Sequence, residues 1–380
     1  MKVLFDATPM VTNKTGIAYY IERLMLEMAK AHPEVEFVGF YFNFLGRRDI
    51  SHLPTRDNLH YTGASIIPSK VIFQLRRWGI EFPIEIMALQ RADFVLYGNF
   101  LGYPSLFHTP STAVIHDLTF IDLPEYVSAK LQRDLTRFVP KQLKRSAFIT
   151  TVSEFSKRRI QQEYKPNKDI IVTPIPPAPL QVHSAKEHAA MLADLGIALP
   201  YILFVGTIEP RKNLLQLIEG YKQLPKKVRD SHALVIAGRI GWNCEAEETA
   251  LQQAKDEGYN VIRLGYIADD VREMLYQSAT LFSTASHYEG FGMPILEAMS
   301  YGTPCAVSDI PVFREVAGVN ADYFDQEKPA IIAAHLEALL SNKQLLDKLG
   351  RDGRAHVATF KWQTIAKQVF DRIQQAINEQ

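Results

Sequence analysis

The chain of 380 residues is long enough for two ordinary domains, each with its own hydrophobic core. Its 42 Lys and Arg balance 42 Asp and Glu, so the composition gives no electrostatic support for a nucleic-acid partner. Two distant cysteines argue against a disulfide framework, and no apolar run reaches the roughly 20 residues of a membrane span. Because the first residues form a strand pattern rather than a signal peptide, we expect a cytoplasmic protein, peripheral to the cytoplasmic membrane at most.

The first half of the chain alternates strand and helix patterns. The apolar run Lys2–Asp6 is typical of a strand, and a loop from Pro9 to Gly16 leads into apolar residues at helical spacing. Gly16 would let the backbone approach a phosphate at the helix start, although a single glycine there is more often structural. Phe37–Phe42 and Asp93–Tyr97 predict further strands.

Two stretches of the first half combine cations with apolar residues. Lys70–Arg91 contains Trp78 and several cations among aliphatic residues, and six Lys or Arg follow in a helical pattern at 130–145. Pro140 is expected to interrupt or kink that second helix. Solvated helix faces are the simpler interpretation, and contact with an acceptor or with lipid headgroups is the alternative.

A buried-strand pattern at Thr112–Asp117 ends in a His-Asp pair. Side chains at the carboxyl end of a parallel strand lie where α/β proteins bind ligands, so His116 is a candidate site residue. Taken alone, such a pair is more often a capped strand end. Strand patterns at Ala147–Val152 and Ile170–Thr173 complete the first half.

A proline-rich connector divides the chain. The sequence IPPAP at Ile175–Pro179 is stiff and cannot pair as a central strand. We therefore predict a first domain at 1–180 and a second at 181–360. The second domain begins its sheet with Tyr201–Val205 and continues with alternating strands and helices.

A loop with two adjacent cations follows the first strand of the second domain. It carries the sequence GTIEPRKN, from Gly206 to Asn213. Arg211 offers a bidentate fork, Lys212 a point charge, and the helix that starts near Asn213 adds its dipole. These features predict a phosphate site, although an Arg-Lys pair after a turn is usually solvated.

The most informative stretch is SHYEGFGMPILEAMSYGTPCAVSD, from Ser286 to Asp309. Glu289 lies on a loop in front of a short helix, and Glu297 lies about one turn inside that helix. Between the two carboxylates are the glycine turn that begins at Gly290 and the N–H groups of Phe291, Gly292 and Met293. Because a helix N-terminus binds anions or sugar hydroxyls readily, both carboxylates are expected to look into one ligand site.

These segments together resemble family 4 retaining glycosyltransferases, which have the GT-B fold. The resemblance rests on HDLTF, TVSEFS, GTIEPRKN and the Glu289 stretch, which follow the family's order and span nearly the whole chain. Cys305 replaces a small apolar residue of the family signature. The resemblance implies an α/β protein with two doubly wound Rossmann-like domains facing a central cleft. A C-terminal helix at 361–380 would pack back on the first domain.

The family's chemistry implies a role for each part of the second domain. A hexose would be transferred from a nucleotide sugar with retention of configuration. Glu289 would hold the hydroxyls of the donor sugar beside the amides of the glycine turn, and Glu297 would hold the ribose. Arg211 and Lys212, next to Gly206, would neutralise the leaving nucleoside diphosphate, and the loop at Ile267 would read the base through its backbone.

The first domain would bind the acceptor. By the same resemblance, His116 would line the cleft near the transferring sugar, and the loop at Gly16 would close over the diphosphate and the acceptor. Because no Asp-x-Asp motif with supporting ligands lies at a strand end, we expect no metal. No cofactor is expected either, since the nucleotide sugar is a co-substrate.

The donor and acceptor stay open at this point. The combination of HDLTF and GTIEPRKN is most similar to bacterial mannosyltransferase-type members that build surface polysaccharide or O-antigen, which favours GDP-mannose. UDP-hexoses and UDP-N-acetylhexosamines are the alternatives, as is a non-catalytic nucleotide-sugar-binding protein. The expected partners are a glycan or lipid-linked glycan acceptor and the inner face of the membrane. A nicotinamide oxidoreductase is disfavoured because no G-x-G-x-x-G with a following acidic residue is present.

Overall fold

The computed structural model describes residues 1–11, 16–46, 48–64 and 68–379, and the chain divides into two compact units. Unit 1 comprises Met1–Ile175 and Lys361–Gln380, and unit 2 comprises Pro176–Phe360. The division falls inside the proline-rich connector.

Unit 1 is built on a parallel sheet that has seven strands within the described residues. The strands are β1 (Lys2–Asp6), β2 (Glu36–Phe42), β3 (Leu59–Ala64), β4 (Phe94–Tyr97), β5 (Ser111–Ile115), β6 (Phe148–Thr151) and β7 (Ile170–Val172). Their order is β3-β2-β1-β4-β5-β6-β7, and neighbours run parallel. Most of the strands read as nearly unbroken apolar runs because a parallel sheet is covered on both faces.

The helices of unit 1 before the connector differ from the sequence prediction at two places. They are α1 (Gly16–Ala31), α2 (Ser69–Arg77), α3 (Ile84–Ala88), α4 (Thr119–Asp122), α5 (Ala129–Arg145) and α6 (Glu154–Tyr164). The stretch 70–91 forms two helices, because Gly79 follows α2 in the left-handed conformation, with φ of 91°, and Pro83 fixes an extended backbone before α3. Pro140 does not interrupt α5. The carbonyl it leaves without a helical donor belongs to Thr136, which is exposed and can be solvated.

Unit 2 is built on a second parallel sheet. Its strands are β8 (Tyr201–Val205), β9 (Ala233–Ala237), β10 (Val261–Gly265), β11 (Leu281–Thr284), β12 (Cys305–Ser308) and β13 (Asp322–Phe324), in the order β10-β9-β8-β11-β12-β13. Its helices are α7 (Ala185–Asp194), α8 (Leu214–Lys222), α9 (Lys226–Ser231), α10 (Glu245–Asp256), α11 (Asp269–Ser278), α12 (Met293–Ser300), α13 (Pro311–Ala317), α14 (Pro329–Leu340) and α15 (Lys343–Val357). Ile202, Leu217 and Ile332 belong to the buried core that joins this sheet to its helices.

The last helix, α16 (Trp362–Asn378), returns to unit 1 and packs against α1. The ring of Trp362 lies 5.9 Å from that of Tyr19, and Phe370 stacks on His32 with ring centroids 3.5 Å apart. This aromatic contact anchors the C-terminal end of the chain to the unit that contains its N-terminal end. No helix within the described residues is both long enough and apolar enough to cross a bilayer.

The strand order of each sheet reverses beside its first strand. In unit 1, β1 lies between β2 and β4, and in unit 2, β8 lies between β9 and β11. Parallel α/β sheets bind ligands at the carboxyl ends of the strands where this reversal occurs. We therefore expect a ligand site of unit 2 at the residues that follow β8 and β11. The corresponding position in unit 1 lies at the residues that follow β1 and β4.

Candidate active site

The loop after β8 places two cations at the reversal point of the second sheet. Pro210–Lys212 form a single 3-10 turn, in which the N–H of Lys212 donates to the carbonyl of Glu209 at 2.9 Å. Asn213 ends the turn in the left-handed conformation, with φ of 52°, and its side chain donates to the carbonyl of Gln326 at 3.0 Å. These bonds fix the direction in which the Lys212 side chain leaves the loop.

Glu289, on the loop after β11, receives both cations. One carboxylate oxygen lies 2.7 Å from Nη1 of Arg211, and the other accepts a hydrogen bond from Nζ of Lys212. Ser286 donates to the same carboxylate at 3.1 Å, and Ser286 is in turn held by Thr284, with 3.1 Å between the two hydroxyl oxygens. The structure thus brings together Arg211, Lys212 and Glu289 from two motifs that lie more than 70 positions apart in sequence.

The protonation of Glu289 follows from this contact. The residue is 8% exposed, and burial alone would raise the pKa of its carboxyl. The charges of Arg211 and Lys212, together with their hydrogen bonds, outweigh burial and lower the pKa to about 2. Glu289 is therefore a fixed anion at neutral pH, and it is unsuited to act as a general acid there.

Arg211 joins the two loops as well as meeting Glu289. Its guanidinium donates to the carboxylate of Glu209 and, at 2.6 Å, to the carbonyl of Tyr288. The N–H of His287 donates to the backbone carbonyl of Arg211 at 2.9 Å. Glu209 is 5% exposed, so two buried carboxylates face this cation. These contacts give Arg211 a structural role, because it links the loop after β8 to the loop after β11.

The N-terminus of α12 follows the Glu289 loop directly. Gly292 precedes the helix with φ of 102°, and a Cβ there would lie 2.8 Å from the ring of Phe313. Only glycine fits this position, on both conformational and steric grounds. The first N–H groups of a helix have no acceptor within it, so the amide of Met293, together with those of Phe291 and Gly292 just before the helix, makes this a suitable place for an anion or a hydroxyl.

Glu297, one turn into α12, belongs to a second polar group. Its carboxylate accepts from the hydroxyl of Tyr276 at 2.9 Å and lies 3.9 Å from Nε of Arg272. Arg272 also contacts Asp269 at 2.8 Å. Burial raises the pKa of the Tyr276 hydroxyl, and the neighbouring Glu297 raises it further, so that this phenol stays a hydrogen-bond donor. The partners of Glu297 are thus different residues from those of Glu289.

Glycines at the ends of the neighbouring strands let their backbones meet. The N–H of Gly206 donates to the carbonyl of Ala237 at 3.0 Å, and the N–H of Gly238 donates to the carbonyl of Gly265 at 2.7 Å. A Cβ on Gly238 would lie 1.7 Å from the carbonyl oxygen of Gly206, so no other residue fits. A Cβ on Gly206 would lie 3.7 Å from Cε of Lys212, which shows that Gly206 borders this side chain.

The predicted base-reading loop follows Gly265. Ile267 is half-buried there, just before α11 begins. Beside it, Tyr266 is 60% exposed and carries the guanidinium of Arg239 over its ring, 4.0 Å from the centroid. The sequence prediction names this loop without foreseeing the stacked pair, because Arg239 follows a different strand.

His116 of unit 1 is buried immediately after β5. Its Nε2 lies 3.0 Å from the carbonyl oxygen of Gly98, and its ring meets Tyr20 edge-on at 5.7 Å and Phe100 at 5.8 Å. Burial lowers the pKa of this imidazole. His116 is therefore a neutral ring held among aromatic side chains at the carboxyl end of its strand.

Asp6, at the carboxyl end of β1, is a half-buried carboxylate that the sequence prediction did not single out. Its Oδ1 accepts from the N–H of Thr8 at 2.9 Å, and burial raises the pKa of its carboxyl to about 6. The sequence offered one signal that Asp6 could be a site residue, namely its position at the end of the first strand of a doubly wound sheet. Gly16 is exposed and begins α1, and residues 12–15 of the predicted phosphate-approaching loop lie outside the described residues.

The sequence also missed residues that support the predicted ones. Glu209, Ser286, Tyr276 and Arg272 hold Arg211, Glu289 and Glu297 in place. Glu209 and Ser286 lie inside quoted motifs, whereas nothing in the sequence marks Tyr276 or Arg272 as neighbours of Glu297. Within the part of the chain that the structure describes, no group of three or more His, Cys, Asp or Glu could hold a metal ion.

A known protein family matches most of the second unit. Residues 196–356 match the family model described as Glycosyl transferases group 1. The chain carries a glycosyl transferases group 1 domain. It is 28% identical over 98% of its length to the O-antigen chain mannosyltransferase B of Escherichia coli, of which it covers 99%. It is also 29% identical over 63% of its length to the O-antigen chain mannosyltransferase RfbU of Salmonella typhimurium, of which it covers 63%.

A solved structure extends the comparison to both units. Sucrose-phosphate synthase from Thermosynechococcus elongatus superposes with a TM-score of 0.75 and 15% identity, and each chain covers the other completely. This level of identity shows the fold alone. The protein has the GT-B architecture of two parallel-sheet Rossmann-like domains, and with its group 1 domain it is a glycosyltransferase.

Proposed function

We propose that this glycosyltransferase transfers mannose from GDP-mannose to a glycan or lipid-linked glycan acceptor, with retention of configuration and without a metal ion. The observation that carries the proposal is the convergence of Arg211 and Lys212 on Glu289 at the reversal point of the second sheet. The mannosyl part is supported by the similarity to O-antigen mannosyltransferases over nearly the full chain. The same chemistry with a UDP-linked sugar is the alternative.

The diphosphate of the donor is assigned to the place between Lys212 and the start of α12. Lys212 supplies a full positive charge beside Gly206, and the amides of Phe291–Met293 supply dipoles. Together these groups would stabilise the charge that develops on the leaving nucleoside diphosphate, which is the task a metal ion performs in other transferases. Arg211, braced by Glu209, would hold its position while Lys212 exchanges Glu289 for a phosphate oxygen.

Glu289 is assigned to the hydroxyls of the donor sugar. A carboxylate with a pKa near 2 accepts hydrogen bonds and does not take up a proton at neutral pH. The acceptor proton would therefore pass to the leaving phosphate oxygen as the new glycosidic bond forms on the face from which the phosphate departs. Catalysis would then consist mainly of positioning and electrostatic stabilisation. Glu297 would hold the ribose, with Tyr276 fixing its carboxylate.

The first experiment measures the melting temperature with GDP, UDP, ADP and dTDP, followed by turnover with the sugar nucleotide of the base that binds. A ligand that binds only the folded state raises the midpoint by mass action. We expect GDP to give the largest rise, an α-linked product from GDP-mannose, and unchanged activity in EDTA. A larger rise with UDP would reassign the donor, and activity lost in EDTA and restored by Mg²⁺ would refute the metal-free part.

The role of Glu289 is tested by Glu289→Ala, with Glu337→Ala on the exposed surface of α14 as the matched control. We expect Glu289→Ala to abolish transfer while nucleotide affinity stays within a fewfold of the original protein. The control variant should retain full turnover. Near-normal turnover of Glu289→Ala would remove this residue from the sugar site.

A further inference from the structure

Exposed apolar side chains are concentrated in one stretch of the sequence of unit 1. Trp78 is 71% exposed and Ile80 51% exposed, directly after α2. Further exposed apolar residues between positions 71 and 107 are Val71, Phe73, Ile86, Leu89, Leu106 and Phe107. Concentrations of this kind on a protein surface mark places that meet a partner or a membrane.

Helix α5 carries a line of exposed cations. Lys130, Arg133, Arg137, Lys141 and Lys144 are all exposed and recur at intervals of three or four residues. This spacing places them on one face of the helix, one above another. Leu131, beside the first of them, is 47% exposed.

The exposed apolar loop lies alongside this helix. The carbonyl of Arg77, just before Trp78, accepts a hydrogen bond from Nη1 of Arg137 at 2.8 Å. Two turns further along α5, Arg145 contacts the carboxylate of Glu81, just after the loop. The segment 78–80 is therefore tied at both ends to the cationic helix, and its exposed side chains flank the line of cations.

A buried cation keeps the loop in place. Arg76 is 3% exposed, its Nε lies 3.1 Å from Glu81, and its guanidinium lies 4.7 Å from the ring centroid of Phe138 on α5. The carboxylate of Glu81 is paired with Arg76 and Arg145. It therefore does not neutralise the exposed cations of α5. The solvent-facing side of α5 and of the segment 78–80 is consequently apolar and positively charged.

The charge of this region departs from that of the chain as a whole. Residues 69–91 and 129–145 together hold ten Lys or Arg and three Asp or Glu, a net charge of +7, whereas the whole chain is neutral. A second copy of the same surface would bring the same charge and be repelled. An anionic surface with an apolar interior complements both features at once.

We propose that Trp78, Ile80 and the α5 cations form a basic-apolar face that docks on a bilayer containing anionic phospholipids. Trp78 and Ile80 enter the interfacial layer, where amphipathic rings and aliphatic side chains are stabilised. Lys130, Arg133 and Lys144 lie over the headgroup phosphates. The proposal rests on unit 1 alone and does not depend on which donor binds to unit 2.

Vesicle co-sedimentation tests the electrostatic part. The full chain is mixed with vesicles of phosphatidylcholine alone or with 30% phosphatidylglycerol, a proportion chosen as roughly that of an anionic membrane. The variant Lys130→Gln/Arg133→Gln/Lys144→Gln is compared with Lys227→Gln/Lys343→Gln/Lys348→Gln, which removes the same charge from exposed positions of unit 2. At about 1 kcal/mol for each cation near the surface, we expect the first variant to bind anionic vesicles roughly a hundredfold more weakly. The control variant should bind like the original protein.

Tryptophan emission tests the apolar part. We expect anionic vesicles to shift the emission of the original protein to shorter wavelength. The variant Trp78→Phe retains Trp242 and Trp362, and it should still bind the vesicles but show no shift. Trp78→Ser should bind more weakly than Trp78→Phe. The proposal is overturned by equal binding of the two triple variants, or by a shift that survives Trp78→Phe. It is also overturned by a concentration-dependent dimer that Trp78→Ser makes monomeric without any vesicle binding.

Discussion

The carboxyl ends of the two sheets share one topology and differ in charge. In unit 2 the residues after β8 and β11 are ionised and buried together, with Arg211 and Lys212 meeting Glu289. In unit 1 the residues after β4 and β5 are a glycine carbonyl and a neutral imidazole among aromatic rings. The same doubly wound frame thus holds an ionic network in one unit, and in the other a neutral imidazole, aromatic rings and the carboxyl of Asp6, whose pKa burial raises to about 6.

This difference fits a division of labour between the units. A preorganised pair of cations is suited to a multiply charged diphosphate, whose charge grows as the bond to the sugar breaks. Aromatic rings and a neutral imidazole are suited to a sugar, which offers hydroxyls and apolar C–H faces but no charge. The fold alone does not decide which unit takes which ligand, since both sheets offer a reversal point.

Within this comparison of the two units, the largest expected effect comes from removing Lys212, the cation of unit 2 that is assigned to the diphosphate. We expect Lys212→Ala to lower turnover roughly 10²- to 10³-fold, which is the usual cost of losing one group that stabilises developing negative charge. Nucleoside diphosphate affinity, measured by calorimetry, should fall as well. Lys226→Ala, at an exposed position of α9, is the matched control and should change neither. Unchanged turnover and affinity in Lys212→Ala would mean that the ionic network is structural.

The two units should respond to acid in opposite directions. The folded pKa of Glu289, about 2, lies below its ordinary value of 4.5, so its contribution is complete above about pH 5 and is lost as pH falls towards 2. The folded pKa of Asp6, about 6, lies above its ordinary 3.8, so its ionised form destabilises unit 1 above pH 6 and the penalty disappears as pH falls towards 4. Each shift corresponds to about 3 kcal/mol.

Paired variants separate these two effects. Relative to Glu289→Gln, the original protein should lose about 3 kcal/mol of its stability advantage between pH 5 and pH 2. Relative to Asp6→Asn, it should gain by a similar amount between pH 6 and pH 4. Denaturant titrations at a series of pH values measure both. If both pairs shift in the same direction with pH, the contrast between the units fails.

The sequence was sufficient for the parts of this contrast that lie within short motifs. Tyr201–Val205 forms a strand with the predicted bounds, because a buried apolar run before a glycine-bearing loop leaves few other conformations. Gly302, which follows the end of α12 in the left-handed conformation with φ of 80°, is a common choice at that position. The strand Leu59–Ala64 was missed because its sequence, LHYTGA, lacks an apolar run.

The sequence could not supply the contacts between motifs. Arg211 and Glu289 are recognisable separately, but their pairing depends on β8 and β11 being neighbours in the sheet, which is a property of topology. The same holds for Tyr276, whose hydroxyl reaches Glu297 because α11 and α12 pack together. His116 was predicted as a site residue from its place after a strand, and its burial among rings from distant segments became visible only in the fold.

The smallest expected effect compares one tyrosine hydroxyl from each unit. Tyr276 donates to the carboxylate of Glu297 at 2.9 Å, whereas the hydroxyl of Tyr20 meets that of Thr173 at 2.9 Å. A hydrogen bond to a charged group contributes about 1.5–3 kcal/mol and one between neutral groups about 1 kcal/mol. Tyr276→Phe should therefore lower the free energy of unfolding more than Tyr20→Phe does, as measured by urea titration at pH 7. Equal losses would indicate that the carboxylate of Glu297 is already satisfied by Arg272, and the charge contrast between the units would then be confined to the Glu289 network.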